Sequence, residues 1–309
     1  MNAKTLYDMF SASFEAVGVI DTKTYVEEAN KMHRDIPEVI YPTMVVLGLA
    51  YPKRFMKHTK THLYPSFYTF GSDYHQVLKS RMESVLKETD LSYALAVDNH
   101  PHDERLAAVL GGLGFFGKNQ LIIHPEHGTY MFLGIVFIDV KIDKPYVLEV
   151  TDDCGTCRKC IDACPTHALD EGYDMNKCMS HFNQSKRDLT DDEVDANYSL
   201  FGCDICQMVC PKNIKKGVLT HPEFMLSGKE AVSILDLFQD SEKVFREKYK
   251  DMSYLWKGKT ILMRNAVCLL YKQNNTLYND LIEASLEKLT TPWYVETTTR
   301  LLARLKHME

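Results

Sequence analysis

Eight of the nine cysteines lie between Asp153 and Asn213, and their spacing serves chemistry rather than packing. The first run is Cys154, Cys157, Cys160 and Cys164 followed by Pro165, a C-x2-C-x2-C-x3-C-P pattern. Three thiolates two residues apart can wrap one face of a [4Fe–4S] cube, while the fourth, turned away before the proline, reaches a second cube. The first motif therefore demands a second. Cys203, Cys206 and Cys210 before Pro211 repeat the C-x2-C-x3-C-P ending without its leading cysteine, and Cys178, alone between the runs, replaces it. The pattern assigns Cys154, Cys157, Cys160 and Cys210 to one cluster and Cys164, Cys178, Cys203 and Cys206 to the other. Zinc can also sit between paired C-x-x-C motifs, but it would leave the C-P endings and the interlocked fours unexplained. Disulfides fit worse. The N-terminus lacks the basic start, apolar stretch and small-residue cleavage site of a secretory signal, so a cytoplasmic chain with reduced thiols is expected.

The elements that must position these thiols divide in two. Leu6, Met9, Phe10 and Phe14 recur at helical spacing and predict a helix over residues 4 to 17. Met44 to Ala50 reads as a buried strand ended by Tyr51-Pro52. Val77, Leu78, Met82, Val85 and Leu86 mark the apolar face of a helix beginning near Asp73. A second strand, residues 92 to 97, runs into Asp98, and a helix opens behind Pro101. Two further strands, residues 121 to 124 and 130 to 140, flank the turn at Pro125 to Gly128. Strands alternating with helices predict an α/β domain. Gly112, Gly114 and Gly117 match a GxGxxG spacing, but they follow a helix and precede a strand, the reverse of a dinucleotide fingerprint. They are read as a tight turn or a close approach to a flat ligand. Beyond the cysteines, residues 234 to 238, 244 to 249, 261 to 270, 277 to 289 and a last stretch from Pro292 read as successive amphipathic helices resembling a short repeat. Cys268, on an apolar face with Leu262, Ala266 and Leu269, is a core cysteine.

The chain has 309 residues, 45% hydrophobic and 25% charged, with a formal net charge of -6. That is an ordinary globular composition, too acidic for a protein that coats nucleic acid, though a local basic patch remains compatible with it. No apolar run approaches the roughly 20 residues that span a bilayer. Between Tyr51 and Ser72 the sequence is basic and aromatic, with Lys53, Arg54, Lys57, Lys60, Tyr64, Phe67, Tyr68 and Phe70. It reads either as a solvated loop with its aromatics tucked inward or as a ligand-facing one.

Several segments taken in order resemble the epoxyqueuosine reductases, which act on tRNA in queuosine synthesis. They are Arg34-x-x-Pro37, Ala50-Tyr51-Pro52, Gly71-x-Asp73-Tyr74-His75, Val97-Asp98-x-x-Pro101-x-x-Glu104-Arg105, Gly112-x-Gly114-x-x-Gly117-Lys118-Asn119, the cysteine runs, and Arg264-Asn265-Ala266. The resemblance implies an N-terminal α/β cobalamin-binding and catalytic domain (residues 1–145), a central ferredoxin-like insert for two [4Fe–4S] clusters (146–220) and a helical, HEAT-like tail (221–309). It implies Asp98 as proton donor to the epoxide and cobalamin contacts at Arg34, Asp73, Tyr74, His75, Asp98, Lys118 and Asn119. It further implies the anticodon region of a tRNA as substrate, an external donor such as a flavodoxin or ferredoxin, no membrane, and a monomer. A carboxyl at a strand end can have its pKa raised by burial, as an acid needs; the plainer role for Asp98 is to cap the following helix.

Two segments depart from the family's pattern: Met179 to Lys186 after Cys178, and Pro211-Lys212-Asn213, where the family carries a tryptophan. Two other functions compete: a ferredoxin-like electron carrier with an appended domain, and a related corrinoid reductase with another substrate. If tRNA is the substrate, its expected surface runs from Lys212, Lys215 and Lys216 into the tail at Lys257, Lys259, Arg264, Arg300, Arg304 and Lys306.

Overall fold

Strand pairing organises the first half of the chain. The computed structural model describes residues 1–308, and within them form strands β1 (Ala16–Asp21), β2 (Thr43–Ala50), β3 (His62–Leu63), β4 (Tyr93–Ala96), β5 (Phe115–Phe116), β6 (Ile122–Ile123), β7 (Met131–Ile138) and β8 (Val232–Ser233). Four of them make a sheet in the order β1-β2-β7-β4. Every neighbour in it is antiparallel, with Ala16 opposite Gly48, Ala50 opposite Met131 and Ala96 opposite Ile135. The mixed α/β character expected from the alternation is present, but the crossovers return each strand antiparallel rather than parallel.

The chain forms two compact units. The first comprises Met1–Lys53, Tyr74–Lys159 and Gln207–Glu223; it contains the four-stranded sheet and helices α1 (Ala3–Ser11), α2 (Thr22–Lys31), α3 (Tyr74–Leu86) and α4 (Glu104–Leu110). Its core joins Ile20, Tyr25, Met44, Val46, Leu106, Ile135 and Phe137. The single helix expected over residues 4 to 17 is shorter, because α1 ends at Ser11 and Ala16 begins β1. Both β1 and α2 escape the sequence pattern. Strand β1 is only six residues, buried on both faces and interrupted by Gly18, so it shows neither alternation nor a long apolar run. Gly18 is obligatory: a Cβ there would stand 2.0 Å from the Gly111 carbonyl oxygen at the end of α4. Helix α2 is announced only by its cap, the Asp21 carboxylate accepting from Thr24 N–H at 2.8 Å.

The second unit comprises Arg54–Asp73, Cys160–Cys206 and Phe224–Glu309. Helices at Ile234–Gln239, Glu242–Lys248, Lys259–Lys272, Asn279–Lys288 and Pro292–Lys306 match the expected series within a few residues. Leu262, Ala266, Val267, Tyr294, Leu301 and Leu305 knit them together, with Phe182, Leu189 and Leu200 from the cysteine-bearing segment in the same core. Cys268 is fully buried there, as expected. Among the described residues no helix is long and apolar enough to cross a membrane.

Candidate active site and cluster-binding segment

Asp98 sits two residues beyond β4 with φ at 53°, in the left-handed region. A non-glycine residue held there costs of order 1–3 kcal/mol and persists only where its surroundings impose it. Three bonds impose it here. The Asp98 N–H donates to Glu104 Oε1 at 2.9 Å, Tyr74 donates its hydroxyl to Asp98 Oδ2 at 2.9 Å, and His75 Nε2 lies 2.9 Å from the same oxygen. Oδ1 has no partner among the described residues, and the carboxylate is about half exposed, at 49%. The helix that follows is capped by Asp103, whose Oδ1 accepts from Arg105 and Leu106 N–H. Asp98 is therefore no helix cap.

The pKa expectation is overturned. The hydrogen bond from His75 is the largest influence on Asp98 and, with the Tyr74 bond, holds its carboxyl below the usual carboxylate range despite partial burial. Asp98 therefore favours its carboxylate form, bonded at Oδ2 by Tyr74 and His75.

Behind the pair stands a stack of rings. His75 lies on Tyr74 at 3.9 Å between centroids, Tyr74 on Phe132 at 4.3 Å and 2° from parallel, and Phe132 on Tyr51 at 4.3 Å. The hydroxyl of Tyr51 then donates to Gln207 Oε1 at 3.0 Å, an oxygen that also accepts from Thr129 Oγ1 at 2.9 Å. Gln207 is three residues before Cys210, so a rigid column joins the acidic site to a cluster-bearing strand of chain. Gln207 belongs to the second cysteine run that carries the family resemblance, though no role was expected of it; Thr129, just past the turn before β7, was missed.

Other expected cofactor contacts are already engaged. Lys118 Nζ donates to the carbonyls of Gly155 at 2.7 Å and Cys157 at 3.0 Å, which closes the first cysteine loop. Arg34 Nε lies 3.5 Å from Asp103 Oδ2, and the Asp73 N–H donates to the Asp251 carbonyl at 2.6 Å. Asn119 differs: it is 6% exposed and its Nδ2 has no hydrogen-bond partner among the described residues. The glycines ahead of it serve the chain itself. Gly112 has φ at 70° and a Cβ on it would meet the Leu148 carbonyl oxygen at 2.1 Å, as the tight-turn reading expects.

In the first unit Cys210 lies within electrostatic reach of Cys154 and Cys157, and in the second Cys206 lies within reach of Cys203, Cys178, Cys160 and Cys164. Burial pushes the Cys203 thiol up to about 12 and Cys206 well above its ordinary value. Iron binding must therefore displace protons that burial holds on sulfur. Tyr198 donates to Cys203 Sγ at 3.6 Å, and Thr166 Oγ1 lies 3.5 Å from Cys164 Sγ. Gly202, just before Cys203, has φ at 77° and no room for a Cβ, which would approach Tyr68 Cε1 at 2.7 Å.

The two departures from the family's pattern bear on folding. Met179 and Phe182 enter the core, and Asn183 brackets Gly202, donating to its carbonyl at 2.9 Å and accepting its N–H at 3.1 Å. Asn213 is 2% exposed and satisfied on both ends, donating to Thr129 Oγ1 and the Gln207 carbonyl at 2.8 Å and accepting from Thr129 N–H at 2.9 Å.

Several of the cations expected on a basic surface from Lys212 into the tail have partners within their own unit. Lys212 pairs with Asp152 at 2.5 Å and Lys216 donates to the Pro125 carbonyl at 3.0 Å. In the second unit Arg300 and Arg304 both pair with Asp191, Lys306 pairs with Glu283, and Lys259 is buried. Arg264 is fully buried and clamps the cysteine-bearing segment, donating to the carbonyls of Ser185 at 2.6 Å, Arg187 at 2.5 Å and Asn183 at 2.9 Å, while Asn265 donates to Asn183 and Leu200. Replacing this cation strands several buried carbonyls, each costing about 1–3 kcal/mol. Arg264→Leu should therefore lower the Tm of the loaded protein by roughly 6–12 °C, taking about 3 kcal/mol and the usual slope; calorimetry showing an unchanged Tm would contradict the clamp.

A family described as a 4Fe-4S double cluster binding domain matches residues 153–213, the span that holds all eight clustered cysteines. The chain is 35% identical over 264 residues to the epoxyqueuosine reductase of Bacillus cereus, covering 79% of this chain and 68% of that one. Among solved structures, epoxyqueuosine reductase from Streptococcus thermophilus superposes with a TM-score of 0.82 at 25% identity, over 99% of this chain and 91% of that one. A crystal structure of an epoxyqueuosine reductase with an epoxyqueuosine-modified tRNA-Tyr stem loop shares the fold at a TM-score of 0.78 and 24% identity, over 99% of this chain and all of the other. With the double-cluster match over the cysteine runs and 35% identity over 79% of its length, the chain belongs to the epoxyqueuosine reductase family.

Proposed function

We propose that this protein reduces the epoxide of epoxyqueuosine in tRNA to the alkene of queuosine, in the cytoplasm and as a monomer. Membership of the family supports the reaction, and the observation that carries the assignment to residues is the Asp98 carboxylate held by Tyr74 and His75 with Oδ1 open. The reaction takes up two electrons and two protons per epoxide and releases one water. Residues 1–145 carry the acidic site, 146–220 the clusters and 221–309 the helical tail in this functional partition.

The eight cysteines would hold two [4Fe–4S] clusters, Cys154, Cys157, Cys160 and Cys210 on one and Cys164, Cys178, Cys203 and Cys206 on the other, which store single electrons. Cobalamin fits one feature of the site: the buried Asn119 Nδ2 is a donor left without an acceptor, and an amide-rimmed cofactor can supply one at a position where an unmet donor is costly. Cobalamin would supply a low-potential cobalt able to give an electron pair to carbon. Tyr74, His75 and Asp98 remain assigned toward it; Lys118, Arg34 and Asp73 support the shell through the bonds described.

The chain's own part in the reaction is proton delivery. His75 and Asp98 hold one proton between Nε2 and Oδ2, and as the epoxide oxygen becomes negative Asp98 passes the proton to it. The stacked rings behind His75 fix its plane, so the proton stays aimed at one oxygen.

The test is anaerobic incubation of the cluster-reconstituted protein, with cobalamin and a chemical reductant, on tRNA carrying epoxyqueuosine. Nucleoside mass spectrometry should find queuosine. Intact clusters with no conversion would turn the assignment toward a different substrate.

A further inference from the structure

We propose that the loop from Arg54 to Lys60 is the docking site for a small acidic one-electron carrier protein, which reaches the Cys164, Cys178, Cys203 and Cys206 set through Tyr198. The inference rests on the cluster reading of those cysteines. Within the second unit this loop borders a cavity of about 330 Å³ whose walls include Phe55, Met56, His58, Tyr64, Tyr198 and Asp204. One of those walls touches a cluster ligand: the Tyr198 hydroxyl donates to Cys203 Sγ at 3.6 Å and accepts the Asp204 N–H at 2.5 Å. A partner seated in the cavity is thus separated from a cluster cysteine by one side chain.

Charge selects the occupant. The chain is acidic, with a net charge of -6, yet no Asp or Glu occurs between Tyr51 and Ser72. Lys57 and Lys60 are exposed and make no ion pair among the described residues. Phe55, which lines the cavity together with Lys57, is 58% exposed, while Phe67 and Phe70 of the same stretch are buried. Phe67 and Phe70 are thus tucked inward, and the half around Phe55 is the one left open to a ligand. The exposed half is held in shape, with His58 Nε2 2.7 Å from the Tyr198 carbonyl, His58 Nδ1 accepting from Tyr64 N–H at 3.0 Å, and Asn275 donating to the Lys60 carbonyl at 3.0 Å. A preformed basic rim around an aromatic residue and a cavity sized for one or two side chains suits the acidic rim of a carrier protein. The cavity is at the small end for a cofactor-sized ligand. Each docking transfers one electron, oxidising the carrier by one and reducing this protein by one, so two dockings supply one epoxide.

The test is the charge reversal Lys57→Glu with Lys60→Glu, probed with oxidised flavodoxin as carrier. Titration calorimetry over a salt series should find affinity for flavodoxin weakened about tenfold or more, with its salt dependence flattened or reversed, as electrostatic steering requires. Bleaching of the iron–sulfur absorbance by flavodoxin hydroquinone should slow in step, while bleaching by dithionite stays at the parent rate. Unchanged flavodoxin affinity overturns the proposal. So does weaker binding of a tRNA anticodon stem loop with flavodoxin affinity intact, which would make the loop a nucleic-acid surface. Failure of the parent to take up clusters would sink the cysteine reading separately, and the calorimetric comparison would still decide the docking site.

Discussion

Asp98→Asn is expected to keep cluster content and tRNA affinity at the parent level while lowering single-turnover epoxide reduction by about 100- to 10,000-fold, the usual range for a general acid. The amide keeps the size of the side chain and can still bond to Tyr74, so the loss reads the proton rather than the fold. The pH profile gives the second readout. Because His75 and Tyr74 hold Asp98 below the ordinary carboxylate range, a proton reaches the epoxide only while the hydrogen-bonded Asp98–His75 pair carries one. Turnover should be full at low pH and decline as pH rises and the pair loses that proton, with apparent pKa values belonging to the pair rather than to either residue. His75→Gln should lower the rate too, and the double variant should be little slower than Asp98→Asn alone, since residues that act as a unit are not additive. Stability runs the other way. A depressed carboxylate pKa stabilises the fold above the unfolded-state value and loses that contribution as pH falls through the folded one. An enzyme that grows less stable toward acid while its reaction speeds up would carry both signatures, and near-parent turnover in Asp98→Asn would remove Asp98 from catalysis.

What the sequence made legible follows from how local each signal is. The cysteine spacing is a property of a dozen residues and survives any fold, so the family comparison returned the same span. The tail helices were equally plain, since 3.6-residue periodicity needs no partner to be seen. Strand β1 was invisible because its burial is decided by β2 on one side and the end of α4 over Gly18, contacts made far along the chain. Charge misled for the same reason. Arg264, Arg300 and Arg304 look like a basic face when read along the helices, but Asp191 and the carbonyls of residues 183 to 187 take them up from another segment. Asp98 was singled out by position, but the lowering of its pKa was not legible because His75, 23 residues earlier, causes it.

Anaerobically reconstituted protein should bind about eight iron and eight sulfide per chain, two cubes of four each, and Cys206→Ser should halve both, with loss of essentially all turnover. The large effect follows from where Cys206 lies. It shares its surroundings with Cys203, Cys178 and Cys164 in the second unit, inside the segment that Arg264 and Asn265 tie to the helical core. A serine cannot replace a soft thiolate on iron, and the remaining three cysteines would face a cluster with an open corner. Cys210→Ser should likewise cost four iron, but from the set in which Lys118 still closes the Cys154 loop through the carbonyls of Gly155 and Cys157. The two variants should then differ in stability: loss of the set beside the helical core lowers Tm more than loss of the other, because metal binding free energy is folding free energy for the segment that holds it. Cys268→Ser is the control, a buried thiol in the helical core outside both sets, and should leave iron at about eight. A value near four in the parent, or zinc in place of iron, would break the two-cluster assignment, and equal Tm losses in Cys206→Ser and Cys210→Ser would detach the second set from the core against which Cys203 packs.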